Sequence, residues 1–510
     1  MKKTPALLST LISLLALAAC SIVQPYSSNA TSMPTSTPTQ PQQNLGFHPA
    51  PCRFIVEAGQ DVTCGDLVVP ENRSQPRGKT ISLHVAVFHN PYHSHPDPVI
   101  YLHGGPGSGA LEWVHGVYSW FMFLLFPGRD LVVFDQRGTG FSQPRLACSI
   151  AANYAASLAQ DERLSEIAWE AGRMPTCLRE LEAQGIDLSA YTTLASAADL
   201  HDLILALGYD QVNLYGHSYG TNLALTYLDE YRAQGKLRSL VLDGVAPPEA
   251  DLFAGRGLNA QGAFQAVFAA CAADPACSRA FPDAEQRFYS LLERLSASPV
   301  TLTADETGGV PVVVNDHRLI EAVYRAAYFS DRIPNIPAML ASFERGNYRL
   351  FRRALDDMLV SALSVDSGVY FAVRCSDQNR LPPAQAPIEE LAPPLQDYFR
   401  ATEQAMRRLC AAPTFSSAEV EQVRPSTSDT PVLLLSGAFD PATPPAWAEM
   451  VAKRLTNAYH YISPTGSHDQ LTGDTCAQTI TARFIQDLTP PDDPCLQQPL
   501  KPYFFTGGGN

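Results

Sequence analysis

The chain has 510 residues, 45% of them hydrophobic and 17% charged, with a formal net charge of −15. That length and apolar content support a sizeable core, in one large domain with an insertion or in two or three domains. The acidic balance opposes binding to nucleic acid and attraction to anionic lipid.

Lys2 and Lys3 precede an apolar run from Ala6 to Ala19 that ends in Leu17-Ala18-Ala19-Cys20, a pattern similar to the lipobox of bacterial lipoproteins. The run is short for a membrane span, and the small residues before Cys20 suit a signal peptidase. Residues 1–19 are expected to be a signal peptide, and Cys20 the lipidated first residue of an exported chain held to a bacterial membrane by acyl groups. Losing Lys2 and Lys3 takes the formal charge from −15 to −17. Ser, Thr, Pro, Gln and Asn dominate from Ser21 to about Gln43, too little apolar surface to bury, so residues 20–46 read as a disordered tether and folding begins near Phe47.

Eleven cysteines less Cys20 leave ten, an even number that reads as an oxidised framework in an exported chain. Sequence does not give the connectivity. Short separations suggest Cys52 with Cys64, Cys148 with Cys177, Cys271 with Cys277, Cys375 with Cys410, and Cys476 with Cys495. No C-x-x-C pair occurs, and neither zinc nor another cofactor is expected.

KTISLHVAVFHN (Lys79 to Asn90) alternates with period two and predicts a strand; PVIYLHGGPG (Pro98 to Gly107) and DLVVFDQRGTG (Asp130 to Gly140) are short apolar runs that stop at glycines. His84, His89, His93 and His95 lie close together here, but Pro-rich surroundings and no nearby carboxylate pair favour a solvated loop over a metal site. WFMFLLF, Trp120 to Phe126, reads as core or pocket wall. Leu200, Leu203, Ile204 and Leu207 recur at helical spacing, with Thr193 or Ser196 as N-cap and Gly208 as the stop. A strand from Val212 to Tyr215, a helical TNLALTYLDEYRAQ and the strand LRSLVLDG follow, the order of a parallel sheet with right-handed crossovers. From Pro247 to about Asp429 helix-like segments replace the strand rhythm, as in an inserted cap. The rhythm returns with PVLLLSGAFD (Pro431 to Asp440), a helix near Trp447 to Leu455, AYHYISPTGSH (Ala458 to His468) and a last helix near Thr475 to Ile485.

Gly216-His217-Ser218-Tyr219-Gly220 falls between a strand end and a helix start, the setting a nucleophile elbow requires. A serine hydroxyl is a weak nucleophile without a base, and the base needs an orienting carboxylate. Asp440 ends one strand pattern and His468 follows the next, in the chain order Ser, Asp, His. His460 lies within a strand pattern and reads as structural. Asp243 is the rival acid, with a turn-amide role as its alternative. The glycine pair in His103-Gly104-Gly105-Pro106-Gly107 frees backbone N–H groups, so the amides of Gly105 and Tyr219 are the candidate oxyanion hole.

With HGGPG, DQRGTG, GHSYG, SGAFDPATP (Ser436 to Pro444) and TGSH, the chain resembles the prolyl iminopeptidase and tripeptidyl aminopeptidase family of α/β-hydrolases over about residues 60 to 490. The resemblance implies an α/β-hydrolase fold with a mostly parallel eight-stranded sheet. Residues 47–246 and 430–510 would form the core, the latter similar to the C-terminal region of secreted tripeptidyl aminopeptidases, and 247–429 a mainly helical cap. It further implies catalysis by Ser218, His468 and Asp440 on peptides with a free N-terminus. Thr443 matches the Thr of the family's D-x-x-T-P pattern, where it would support the triad or cap the next helix. VRCSDQ (Val373 to Gln378) resembles the cap segment that recognises the substrate amine, which makes Asp377 the candidate there. A carboxylesterase with the same triad is the rival. A peptide-capturing protein on a retired hydrolase fold would show degenerate catalytic positions, and all three are intact.

Overall fold

The computed structural model describes residues 45–507 except 115, 149–150, 416–421 and 498–499. The expected signal peptide, Cys20 and nearly all of the tether lie outside the described residues.

The strands are β1 (Gly46–Pro49), β2 (Val62–Pro70), β3 (Thr80–Phe88), β4 (Val99–Leu102), β5 (Leu131–Phe134), β6 (Val212–His217), β7 (Leu237–Asp243), β8 (Val300–Leu302), β9 (Val312–Val314), β10 (Val432–Gly437) and β11 (Ala458–Ser463). All but β8 and β9 form one nine-stranded sheet in the order β1-β2-β3-β5-β4-β6-β7-β10-β11. From β5 to β11 every pairing is parallel, while β1, β2 and β3 add antiparallel strands at one edge. The sheet therefore has one strand more than the eight expected. The extra strand begins at Gly46, inside the stretch read as tether, because Phe47 lies over Gly65 of β2, where any side chain would collide with its ring.

The central strands are buried along their whole length, which explains their unbroken apolar runs. Alternation sorts each run between two helical layers. Ile100, Val132 and Leu434 face a cluster with Leu203, Leu223 and Val451, whereas Tyr101, Val133 and Leu433 face one with Phe121, Ile480 and Phe484. Phe121, Leu125 and Phe126 of the WFMFLLF run lie in this second cluster. No helix among the described residues is long and apolar enough to cross a membrane.

The Thr193–Leu207 helix is capped by Thr192, whose hydroxyl accepts from Ala195 N, and not by Thr193 or Ser196; it ends at Gly208 in the left-handed conformation. Of the clustered histidines, His84 is buried in β3 and not in the solvated loop expected, and His89 and His93 share Asp130. His84 meets Asp66 at 2.9 Å, His89 meets Asp130 at 3.0 Å, and His95 meets Gln486.

Between β7 and β10 the chain forms helices and the β8–β9 hairpin, which cover the end of the sheet where the parallel strands stop. The expected insertion, 247–429, is only part of this layer. The Glu166–Ala183 helix, which precedes β6, places Ala168, Trp169 and Leu178 in one cluster with Phe399 and Met406 of the Pro393–Cys410 helix. Five disulfides join the pairs suggested by short separation: Cys52–Cys64, Cys148–Cys177, Cys271–Cys277, Cys375–Cys410 and Cys476–Cys495.

Candidate active site

Strand β6 ends in a tight turn at Ser218, with φ 55° and ψ −122°, and the Tyr219–Tyr231 helix starts at the next residue. A positive φ at a serine stores roughly 1–3 kcal/mol of strain, which only an over-determined surrounding can hold. Ser218 N donates to Asp243 O at 2.8 Å, Thr221 Oγ1 donates to Ser218 O at 2.6 Å, and Ala246 N donates to Thr221 Oγ1 at 2.8 Å. Gly216 and Gly220 face one another across the turn; a Cβ on Gly216 would lie 2.6 Å from the Gly220 oxygen. The hydroxyl is thus lifted to the sheet end, into a cavity of about 640 Å³ that also takes in His468, Thr443 and Gly105.

Asp440 follows β10 and accepts four hydrogen bonds. Its Oδ1 takes the amides of Ala442 and Thr443 at 2.7 and 2.9 Å, and its Oδ2 takes the Thr443 hydroxyl at 2.5 Å and His468 Nδ1 at 2.9 Å. Burial alone would raise this carboxyl's pKa; the imidazole beside it and these donors outweigh burial and hold it below the ordinary range. The bond to Nδ1 fixes the imidazole so that Nε2 is the free end, and Nε2 is buried without a partner. Thr443 Oγ1 also lies 3.0 Å from Nδ1, so its hydroxyl serves the Asp–His pair. The following helix, Pro445–Ala452, has Pro444 at its N-cap and no side-chain cap bond.

Tyr328, the last residue of the Asp316–Tyr328 helix, lays its ring 4.3 Å from the His468 ring, tilted by 36°, and lines the cavity with Ser218. The structure therefore brings Ser218 and His468 into one cavity, with Asp440 buried behind the imidazole it bonds and the Ser–His bond still open, a common state of unliganded sites. Asp243 accepts from Tyr215 Oη at 3.0 Å and from Gln470 N at 3.2 Å, which secures the loop carrying His468 from behind. His460 Nε2 meets Ser436 Oγ at 3.0 Å within the sheet.

Gly105 has φ +110°, a conformation that side chains rarely adopt, and Arg374 Nη2 donates to its carbonyl at 2.9 Å. Tyr219 is the first residue of its helix, where a backbone N–H has no intrahelical acceptor. Gly105 lines the cavity with Ser218, and Tyr219 directly follows that serine in sequence, the two positions expected to donate to an oxyanion. The DQRGTG segment braces this arrangement. Gln136 donates to His103 O at 2.9 Å, and Arg137 forms a buried two-point bridge to Asp199 at 2.7 Å.

Asp377 does not line the cavity. Its Oδ2 accepts from Thr193 Oγ1 at 2.8 Å, and Thr193 in turn bonds the Tyr219 hydroxyl at 2.9 Å. Burial pushes the Asp377 pKa up to about 6. The expected amine-binding role is corrected accordingly: the side chain lies behind Tyr219. The acidic groups that do line the cavity are Glu112, Glu166, Glu170, Asp357 and Glu403; Asp357 is paired with Arg332 and Glu403 with Arg407, and Glu166 and Glu170 stand one helical turn apart. Glu166 is bridged to Arg325 at 2.5 Å, whereas among the described residues Glu170 bonds only the Ser367 hydroxyl, at 3.4 Å. Burial, reinforced by the charge of Glu166, pushes Glu170 up to about 8. Sequence reasoning missed both, since an E-x-x-x-E spacing is equally the mark of a solvated helix face.

The alpha/beta hydrolase fold family matches this chain over residues 97–474. The Serine protease Hip1 of Mycobacterium tuberculosis (strain ATCC 25618 / H37Rv) is 26% identical over 475 residues, 86% of this chain and 89% of that protein. Carboxylesterase B of the same strain is 27% identical over 475 residues, 86% of this chain and 88% of its own length. The Tripeptidyl aminopeptidase of Streptomyces coelicolor is 32% identical over 200 residues, 37% of this chain and 36% of that enzyme.

Proposed function

The chain belongs to the α/β-hydrolase fold family, and on that premise we propose that it is a serine peptidase releasing residues from the free N-terminus of peptides. Ser218 Oγ attacks the scissile carbonyl while His468 Nε2 takes its proton, and the amides of Gly105 and Tyr219 hold the oxyanion. Collapse of the tetrahedral intermediate breaks the C–N bond, and His468 returns the proton to the leaving amine. Water, deprotonated by the same imidazole, then cleaves the acyl-enzyme. Asp440 keeps the proton on Nδ1 and stabilises the imidazolium, with Thr443 as its support.

The observation that carries the peptidase reading is Glu170, a buried carboxyl with one weak partner in the cavity that holds Ser218. A substrate ammonium would supply the missing partner and favour the ionised form. The name Carboxylesterase B on a relative of equal coverage favours a second reading, ester hydrolysis through the same triad. We further propose that lipidated Cys20 anchors the enzyme outside the cytoplasm, on the strength of the leader pattern.

The test uses the chain produced under oxidising conditions, as wild type and Ser218→Ala. Substrates are Ala-Ala-Pro-amide and Pro-amide fluorogenic compounds with free or acetylated N-termini, and a short-chain p-nitrophenyl ester. Cleavage of only the free-amine forms, lost in the variant, is the expected result. Hydrolysis of the ester alone would overturn the peptidase assignment.

A further inference from the structure

Arg374 lies on the cap helix Ser367–Asn379 and lines the cavity beside Ser218. Its Nη2 donates to Gly105 O at 2.9 Å, and its guanidinium carbon stands 6.0 Å from the Tyr219 ring centroid. One cap side chain therefore bonds the Gly105 carbonyl and faces the Tyr219 ring. Among the described residues no carboxylate lies within ion-pair distance of Arg374, though Asp377 acts on it from further off, and its Nη1 is buried without a hydrogen-bond partner. The helix is fixed to the same loop, since Asp366 N donates to Gly107 O at 2.9 Å, and the Cys375–Cys410 disulfide ties its next residue to the Pro393–Cys410 helix.

We propose that Arg374 is a positioning residue for the oxyanion hole, which it orients through the Gly105 carbonyl while its guanidinium, only partly offset by Asp377, adds positive charge beside it. The proposal rests on the reading of Ser218 as a nucleophile. Gly105 has no side chain to hold its peptide, so a fixed donor on its carbonyl selects one orientation of the loop. A guanidinium keeps its charge at every working pH. In a site of low dielectric that charge acts on the anion that develops during reaction and little on the neutral ground state. The contribution should consequently appear in kcat and not in KM.

The experiment compares wild type, Arg374→Lys and Arg374→Met as full chains, on the p-nitrophenyl ester and on any peptide amide that is cleaved. Removing one oxyanion donor outright costs about 100- to 1000-fold in kcat; losing its support is expected to cost Arg374→Met roughly 10- to 100-fold, with KM changed less than about threefold. Arg374→Lys should fall between. Binding of a trifluoromethyl ketone analogue should weaken in step with kcat, and added methylguanidine should restore part of the Arg374→Met rate without affecting Ser218→Ala. An unchanged kcat, or a lower melting temperature with a raised KM and no rescue, would reduce Arg374 to a strut between cap and core. If Arg374→Met does not fold, Arg374→Lys carries the same comparison of kcat with analogue affinity. Wild type without Ser218-dependent turnover on either substrate class defeats the serine-hydrolase reading itself, and this proposal with it; active wild type beside an unaffected variant defeats the proposal alone.

Discussion

Replacing Thr443 by valine removes one hydroxyl and leaves the shape of the side chain nearly intact. That hydroxyl is one of four donors to the buried Asp440 carboxylate and also lies 3.0 Å from His468 Nδ1. A hydrogen bond to a charged group contributes about 1.5–3 kcal/mol. Because the imidazolium forms only during reaction, most of this should be felt in the transition state, and at 1.36 kcal/mol per decade it predicts a fall in kcat of roughly 10- to 150-fold. Thr443→Ser keeps the hydroxyl and should stay within about threefold of wild type. A second readout follows from linkage. Asp440 has a folded pKa below its ordinary 3.8, so its stabilising contribution is present above that value and is lost as pH falls through the folded pKa. The loss of melting temperature in Thr443→Val should accordingly be largest near neutrality and fade in acid. Steady-state kinetics on a Ser218-dependent substrate, with thermal melts across pH, make the test. A valine variant with wild-type kcat would refute the assignment of this hydroxyl to the Asp–His pair.

Glu170→Gln should raise KM for free-amine peptides while leaving an acetylated ester unaffected, as steady-state assays on the two substrates would reveal. Its folded pKa of about 8 lies above the ordinary 4.5, so the unfolded chain releases this proton first and stability falls as pH rises between those values. Glu170→Gln should therefore melt higher than wild type at the alkaline end of that window and not at the acid end. Tyr328→Phe keeps the ring on His468, so fluorophosphonate labelling of Ser218 should be close to wild type, whereas Tyr328→Ala should label more slowly. Equal slowing in both variants would contradict a role for the ring in holding the imidazole. Replacing Cys375 and Cys410 by serine opens a loop of separation 35, worth about 4 kcal/mol by closure entropy, against about 2 kcal/mol for Cys271 and Cys277 at separation 6. Calorimetry should rank the two double variants in that order.

Ser218, Asp440 and His468 were legible because each stands at or just after the end of a strand pattern, and the ends of parallel strands converge. Periodicity thus located the residues in space as well as in sequence. The ninth strand was not legible, since Gly46–Pro49 is four residues long and its pairing depends on a glycine in a different strand. The cap was harder for a related reason. A helical pattern announces a helix but not which face meets a cavity formed by other helices. Arg374 and Asp377 are three residues apart on one helix, and the sequence offered no means of choosing between them. The structure turns Arg374 to the cavity and Asp377 to Thr193. Glu166 and Glu170 come from a helix that precedes β6, so no inspection of residues 247–429 could have found them.

The five disulfides join each cysteine of the described chain to the next one along it, so their loops are disjoint, neither nested nor crossed. A chain that meets an oxidant while emerging N-terminus first reaches this set by linking every thiol to the one directly behind it, and no bond has to be broken and remade. The same arrangement leaves residues 278–374 outside every ring. A single protease cut there would divide the molecule into two covalently separate pieces, with Ser218 on one and Asp440 and His468 on the other, held together by packing alone.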